Sequence, residues 1–93
     1  MPNGNLRELL MIQETEAKEA VRNFIVGSIF VENLRDDDDL FESGLVNSLF
    51  AVQLMTFIEK TFAIEVGADD LDIKNFQSID AATEFVLRRN GRV

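Results

Sequence analysis

Gly44-Leu45-Val46-Asn47-Ser48-Leu49 lies near the middle of the chain, and the segment that begins inside it governs the fold. From Ser48 onward, Leu54, Ile58 and Phe62 recur at helical spacing, with Met55 beside them. That period predicts an amphipathic helix from Ser48 to Phe62 or Ala63. Ser48, Val52, Thr56 and Glu59 fall on the opposite side, flanked by Gln53 and Lys60. Leu49 and Val52 are therefore apolar residues on or near the exposed face, and together they mark a candidate contact patch. Asn47 and Ser48 are both suited to cap the helix start. One hydroxyl thus stands at the head of the helix, after a small glycine turn and before a bulky aliphatic residue.

Upstream of this helix, residues 34 to 47 read as a long connection. Asp36 to Asp39 is a run of four like charges, unsuited to a regular element. Leu40, Phe41, Leu45 and Val46 are apolar within it and are expected to pin it to the core. Before it, Ala17, Ala20, Val21, Phe24, Ile25 and Ile29 repeat at helical spacing. With Thr15 as N-cap, they predict a first helix over roughly 15 to 33. Leu6, Leu9, Leu10 and Ile12 either extend that helix or dock loosely, and residues 1 to 14 are read as an N-terminal extension. Downstream, Ile64 to Gly67 reads as an extended link and Asp69 to Phe76 as a short helical turn. Ser78 is a good N-cap for a last helix carrying Ile79, Ala82, Phe85, Val86 and Arg89. Arg88 and Arg89 complement its C-terminal dipole, and Gly91 closes it. The expectation is one all-α domain over 15 to 90, with three main helices, a short helix third in order, and a tail at 91 to 93.

The chain's 93 residues hold one small domain, whose thin core must be buried efficiently. Net charge is −8, unevenly spread. Residues 36 to 84 carry twelve acids against only Lys60 and Lys74, which argues against nucleic acid and suits basic protein partners. Without cysteine there are no disulfides, thiol chemistry or cysteine metal sites, and without histidine the commonest general base and metal ligand are missing. No apolar run reaches membrane length and residues 1 to 5 do not read as a signal peptide, so a soluble, cytoplasmic monomer is expected.

Few constellations capable of chemistry remain. The aspartate run lacks the alternation and the glycine of a calcium loop, so it is read as solvated loop and no metal site is assigned. Glu42, Glu59 and Glu84 show no pattern that would bury a carboxylate and raise its pKa. A Ser–His–Asp arrangement is impossible, and Lys60 lies roughly 18 Å of helical rise from Ser48, too far to activate it. Phosphate-cradling glycine loops are absent. No catalytic residues are assigned. A hydroxyl at a helix N-terminus is, however, a favourable seat for a phosphodiester, whose charge the dipole and free N–H groups stabilise.

The stretch Asp39-Leu40-Phe41-Glu42-Ser43-Gly44-Leu45-Val46-Asn47-Ser48-Leu49 resembles the attachment motif of acyl and peptidyl carrier proteins. The likeness continues through Val52, Leu54, Ile58, Glu59, Phe62 and Ile64-Glu65-Val66. It resumes at Asn75 to Ile79 and at Ala81-Ala82. It implies a four-helix carrier bundle in which Ser48 accepts 4′-phosphopantetheine from coenzyme A, in a reaction run by a separate magnesium-dependent phosphopantetheinyl transferase. The arm's thiol would carry an acyl or aminoacyl group as a thioester, with catalytic groups supplied by partner enzymes. Those partners would be an acyl-loading or adenylating enzyme and downstream synthase or tailoring enzymes.

The chain departs from the family pattern in two places. Asn47 stands where the family usually has Asp. The second helix also lacks the acidic face of a fatty-acid carrier, with Phe50, Gln53 and Lys60 where acids are common there. Partners are therefore expected to dock on Asn47, Leu49, Val52, Gln53 and Thr56, joined by Phe76. The resemblance points to a discrete carrier for polyketide or nonribosomal peptide assembly, or to one loaded with an amino acid, as in D-alanine transfer to cell-wall polymers. The alternative is a helical interaction module without a prosthetic group, with Ser48 only a cap.

Overall fold

The structure, a computed structural model, describes residues 6–90, and side chains over 13–89. Three α-helices follow in order: α1 Leu6–Ile29, α2 Ser48–Phe62 and α3 Ile79–Asn90. Between α2 and α3 lie two short 3-10 turns, Ala68–Asp70 and Ile73–Asn75. The described residues are thus all-helical, as expected, but the short third helix is these two turns. Asp72 interrupts the segment by accepting the Lys74 N–H in its own turn (2.9 Å).

Each helix contributes one stripe to a single core. Ala17, Val21 and Ile25 come from α1, Phe50, Leu54 and Ile58 from α2, and Ile79, Ala82, Phe85 and Val86 from α3. Leu34, Leu40, Ile64 and Phe76 close it from the connections. The helix pair α1 and α3 packs most extensively. Phe24 stacks on Phe57 (ring centroids 4.4 Å) and Phe76 meets Phe85 edge-on (5.3 Å), so phenylalanine tightens the bundle at both seams.

Helix α1 differs from expectation at both ends. It begins at Leu6, so Thr15 lies within it and is no cap. Residues 6 to 14 include Leu, Met, Gln and Glu and contain neither Pro nor Gly, a composition that propagates helix through Thr15. Leu6, Leu9, Leu10 and Ile12 therefore lie in the helix, although their side chains fall outside the described ones. At the other end, the Phe30 N–H still bonds the Val26 carbonyl (3.1 Å), and then its φ of 50° turns the chain out, short of residue 33.

The other boundaries match. Helix α2 spans Ser48–Phe62, and Ser78 caps α3 by accepting the Ala81 N–H (3.0 Å). Gly91 lies outside the described residues. Leu40 pins the connection as expected and Phe41 and Val46 are half-buried, but Leu45 is exposed, turned out beyond the bend at Gly44.

Candidate functional site

The connection before α2 is a stitched turn. The Asp39 carboxylate accepts the N–H groups of Phe41 (3.0 Å) and Glu42 (2.9 Å), and Gly44 N–H bonds the Phe41 carbonyl (3.1 Å). The Leu40 carbonyl accepts from Leu45 (3.1 Å) and from the Ser43 hydroxyl (3.1 Å). Gly44 has φ +79°, and a Cβ there would meet nothing within 4 Å, so glycine serves the backbone rather than a close approach. This turn delivers Asn47 in extended conformation (φ −130°).

Asn47 is the cap. Its side-chain oxygen accepts the Phe50 N–H (3.2 Å) and its carbonyl the Ala51 N–H (3.2 Å). That resolves the alternatives left by the sequence, because Ser48 becomes the first helical residue. Its side chain is exposed, and its hydroxyl makes no hydrogen bond among the described residues. The N–H groups of Ser48 and Leu49 are likewise unpaired there, as the first donors of a helix are. No acid occupies the first turn of α2. An uncommitted hydroxyl beside free N–H groups and no carboxylate on its own turn fits an attached phosphodiester.

Beside Ser48 lies a cavity of about 110 Å³ lined by Ser48, Ala51, Val52, Leu71, Asp72, Ile73 and Phe76. Its wall is the segment between α2 and α3, where Leu71 and Ile73 are 58% and 50% exposed. Phe76, expected to join a surface patch, is only 2% exposed. Its ring is drawn into the core against Phe85, so it forms the floor of the cavity. Leu71 and Ile73, which sequence reading missed, supply the exposed apolar surface in its place. No usable period runs through two interrupted 3-10 turns, so their faces could not be read in advance.

On α2, Leu49 (63%) and Val52 (49%) are exposed as expected, and so are Gln53 and Thr56. The four do not form one patch. Gln53 and Thr56 turn toward a second dip shared with Phe24, Ser28 and Phe57, and Val52 is the ridge between the two. Phe50 was expected on the face where a fatty-acid carrier has acids, yet it is buried, in stacked contact with Phe24 (6.0 Å). It sits four residues before Leu54 and so heads the core stripe. Glu59, the one acid of α2, is half-buried and accepts the Val66 N–H (3.0 Å).

The aspartate run is less solvated than its sequence suggests. Asp36 pairs with Arg22 and with Lys18 (3.4 Å), and Lys18 also reaches Asp80 (3.1 Å). The Arg22 guanidinium beside Asp36, and then Lys18, hold that carboxyl below its ordinary pKa against its partial burial. The hydrogen bond to Asp80 is the largest influence raising Lys18. Asp38 accepts the Arg35 N–H (2.9 Å). Among the described residues no three metal-type ligands come together, and no helix is long and apolar enough to cross a membrane.

Residues 25–86 match the family described as "Phosphopantetheine attachment site". The chain is 33% identical to the D-alanyl carrier protein of Streptococcus gordonii, in a match covering 64% of this chain and 84% of that one. The D-alanyl carrier protein of Streptococcus thermophilus matches to the same extent. No solved structure matches. With the family model running from within α1 through α2 into α3, the chain belongs to the acyl and peptidyl carrier family, as a non-catalytic carrier with 4′-phosphopantetheine as its covalent cofactor.

Proposed function

We propose that the chain is a discrete carrier whose 4′-phosphopantetheine is attached at Ser48 and which holds an acyl or aminoacyl group as a thioester. The observation that carries this reading is the division of labour at the helix start. Asn47 does the capping, and the Ser48 hydroxyl is left exposed and uncommitted. In the attachment reaction a Ser48 Oγ–phosphorus bond forms as the pyrophosphate bond of coenzyme A breaks. Adenosine 3′,5′-bisphosphate leaves, and the hydroxyl proton passes to the transferase. When attached, the arm supplies the thiol that this cysteine-free chain lacks.

The carrier domain is taken as residues 15 to 90, acting as a monomer in the cytoplasm beside its transferase, its loading or adenylating enzyme, and downstream synthase or tailoring enzymes. Partners dock around Leu49, Val52, Gln53 and Thr56, with Leu71 and Ile73 supplying what Phe76 does not. Such contacts are more apolar and less salt-sensitive than an acid-to-base interface. The near absence of free acids on α2 favours specialised assembly, of the polyketide or nonribosomal peptide kind, over primary fatty-acid synthesis.

Relatives named D-alanyl carrier proteins support a second reading, in which an adenylating enzyme loads an amino acid. Intact mass after incubation with coenzyme A, magnesium and a broad-specificity phosphopantetheinyl transferase tests the attachment. One added phosphopantetheine, lost in Ser48→Ala, is expected. No addition with any transferase would leave the chain an interaction module. Loading of the modified protein by adenylating enzymes supplied with single amino acids then separates the two cargo readings.

A further inference from the structure

Two cations of α1, Lys18 and Arg22, are spent on the chain's own acidic connection. Lys18 and Arg22 both reach Asp36, and Arg22 also donates to the Leu34 carbonyl (3.1 Å). From α3, Asp80 shares Lys18 through its carboxylate, and its N–H bonds the Asp36 carbonyl (2.9 Å). Four alternating charges therefore clamp one backbone point of the connection between two helices. A second stitch follows four residues on, where the Leu40 N–H bonds the Gln77 carbonyl (2.8 Å). Leu40 in turn carries the stitched turn through Gly44 that ends at the Asn47 cap. Nothing in the connection between Leu40 and Asn47 is fully buried, so on its N-terminal side the place of Ser48 depends on these two stitches, as on the other it depends on the core stripe headed by Phe50.

We propose that Asp36 is a positioning residue for modification of Ser48, with Lys18, Arg22 and Asp80 as its fastenings. It acts through the connection and touches neither the hydroxyl nor the arm. This rests on Ser48 being the attachment point. Asp36 lies three residues before the segment that resembles the family's motif, and its partners lie on other helices, so the role is a feature of this chain's tertiary structure.

An exposed ion pair in the same connection supplies a control. Arg35 meets Asp37 at 3.7 Å with both side chains largely exposed, so Arg35→Ala removes a charge next to Asp36 while leaving the clamp and both stitches intact. If the Asp36 clamp selects the presented form of the loop, loosening it lowers the population competent to dock. That raises the apparent KM without altering the chemical step.

The experiment uses the full chain, coenzyme A, magnesium and a broad-specificity phosphopantetheinyl transferase, with kcat and KM for the protein measured separately. Asp36→Asn is expected to raise KM about fivefold at unchanged kcat, as for a competent state reduced to about a fifth. Lys18→Ala, a milder change that keeps Arg22 on Asp36, is expected to raise KM about threefold by the same arithmetic, and serves if Asp36→Asn does not fold. Arg35→Ala is expected to stay within about twofold of wild type. Hydrogen exchange in Asp36→Asn should quicken over residues 38 to 46 and hold steady in α3. Wild type modified normally with KM in the Asp36 and Lys18 variants unmoved overturns the inference, as does an equal rise in Arg35→Ala, which would mark an effect of local charge and not of the clamp. Wild type that takes up no phosphopantetheine at all overturns the Ser48 reading first and this inference with it.

Discussion

Two connections flank α2, and they solve opposite problems. Residues 30 to 47 gather acids, and the chain answers most of them internally: Asp36 with Lys18 and Arg22, Asp37 with the Arg35 guanidinium, Asp38 with the Arg35 N–H, Asp39 with two N–H groups of its own turn. Residues 63 to 78 gather apolar side chains, and the chain answers only some of them. Ile64 and Phe76 are buried, whereas Leu71 and Ile73 are left in solvent beside Ser48. Polar groups can be satisfied locally by a turn or an ion pair, but apolar area is satisfied only by something that covers it. The first connection thus satisfies most of its polar groups itself but leaves Phe30 and Leu45 uncovered (88% and 40% exposed), and the second leaves its uncovered apolar area beside Ser48, where a partner or an arm has something to gain.

Core truncations on the two sides test that contrast most strongly. Phe76→Ala should cost about 3–5 kcal/mol and Leu40→Ala about 2–5 kcal/mol, since each empties a fully packed site. Leu71→Ala and Ile73→Ala should stay within about 0.5 kcal/mol, as exposed substitutions do. Urea unfolding of the four variants checks the ordering. A large loss from Ile73→Ala would mean that the wall is part of the core and not a free surface. Partner affinity should respond in the reverse sense. Val52→Asp should weaken docking, and Lys60→Glu should leave it unchanged. Val52→Asp without effect would remove α2 from the interface.

What sequence could show follows the same division. Helix α2 and the Ser78 cap were legible because they depend on local period and capping chemistry. The attachment motif was legible because it is contiguous. The start of α1 was not, since Thr15 looks like a cap only until the helix-forming residues before it are weighed. Phe50 was misread because likeness to a family face outweighed its spacing from Leu54. The roles of Asp36 and of Leu71 and Ile73 depend on which distant residues come near. Four successive aspartates carry no local sign that Lys18, some eighteen positions away, is waiting for one of them.

The helix start between the two connections predicts smaller effects. Asn47→Ala should cost about 1 kcal/mol, the value of a lost cap, and should expose the Phe50 N–H. Asn47→Asp keeps the cap and adds a charge to the N-terminus of α2, for a gain of about 0.3–1 kcal/mol. Thermal unfolding at low salt distinguishes the three proteins, and a gain that survives high salt would not come from the dipole. At the far end of α2, Ala63 holds φ 54° and Ile64 N–H closes on the Glu59 carbonyl (3.2 Å). Ala63→Gly should therefore stabilise by up to about 1 kcal/mol, because glycine occupies that region without strain.

The smallest effect is the pH dependence of the first connection. Asp36 has its pKa lowered in the folded protein, chiefly by the Arg22 hydrogen bond. Its contribution is present above the unfolded value, about 3.9, and is lost as pH falls through the lower folded value. Lys18 is raised, chiefly by Asp80, so its contribution holds below its ordinary value of about 10.4 and is lost as pH climbs through the raised one. Their side chains are each 35% exposed, so solvent limits what the pairing adds to no more than about 1 kcal/mol. The stability difference between wild type and Asp36→Asn should accordingly be flat from about pH 5 to pH 9 and shrink below about pH 4. A difference that stays constant down to pH 2.5 would mean that Asp36 acts through its backbone bond to Asp80 and not through its charge.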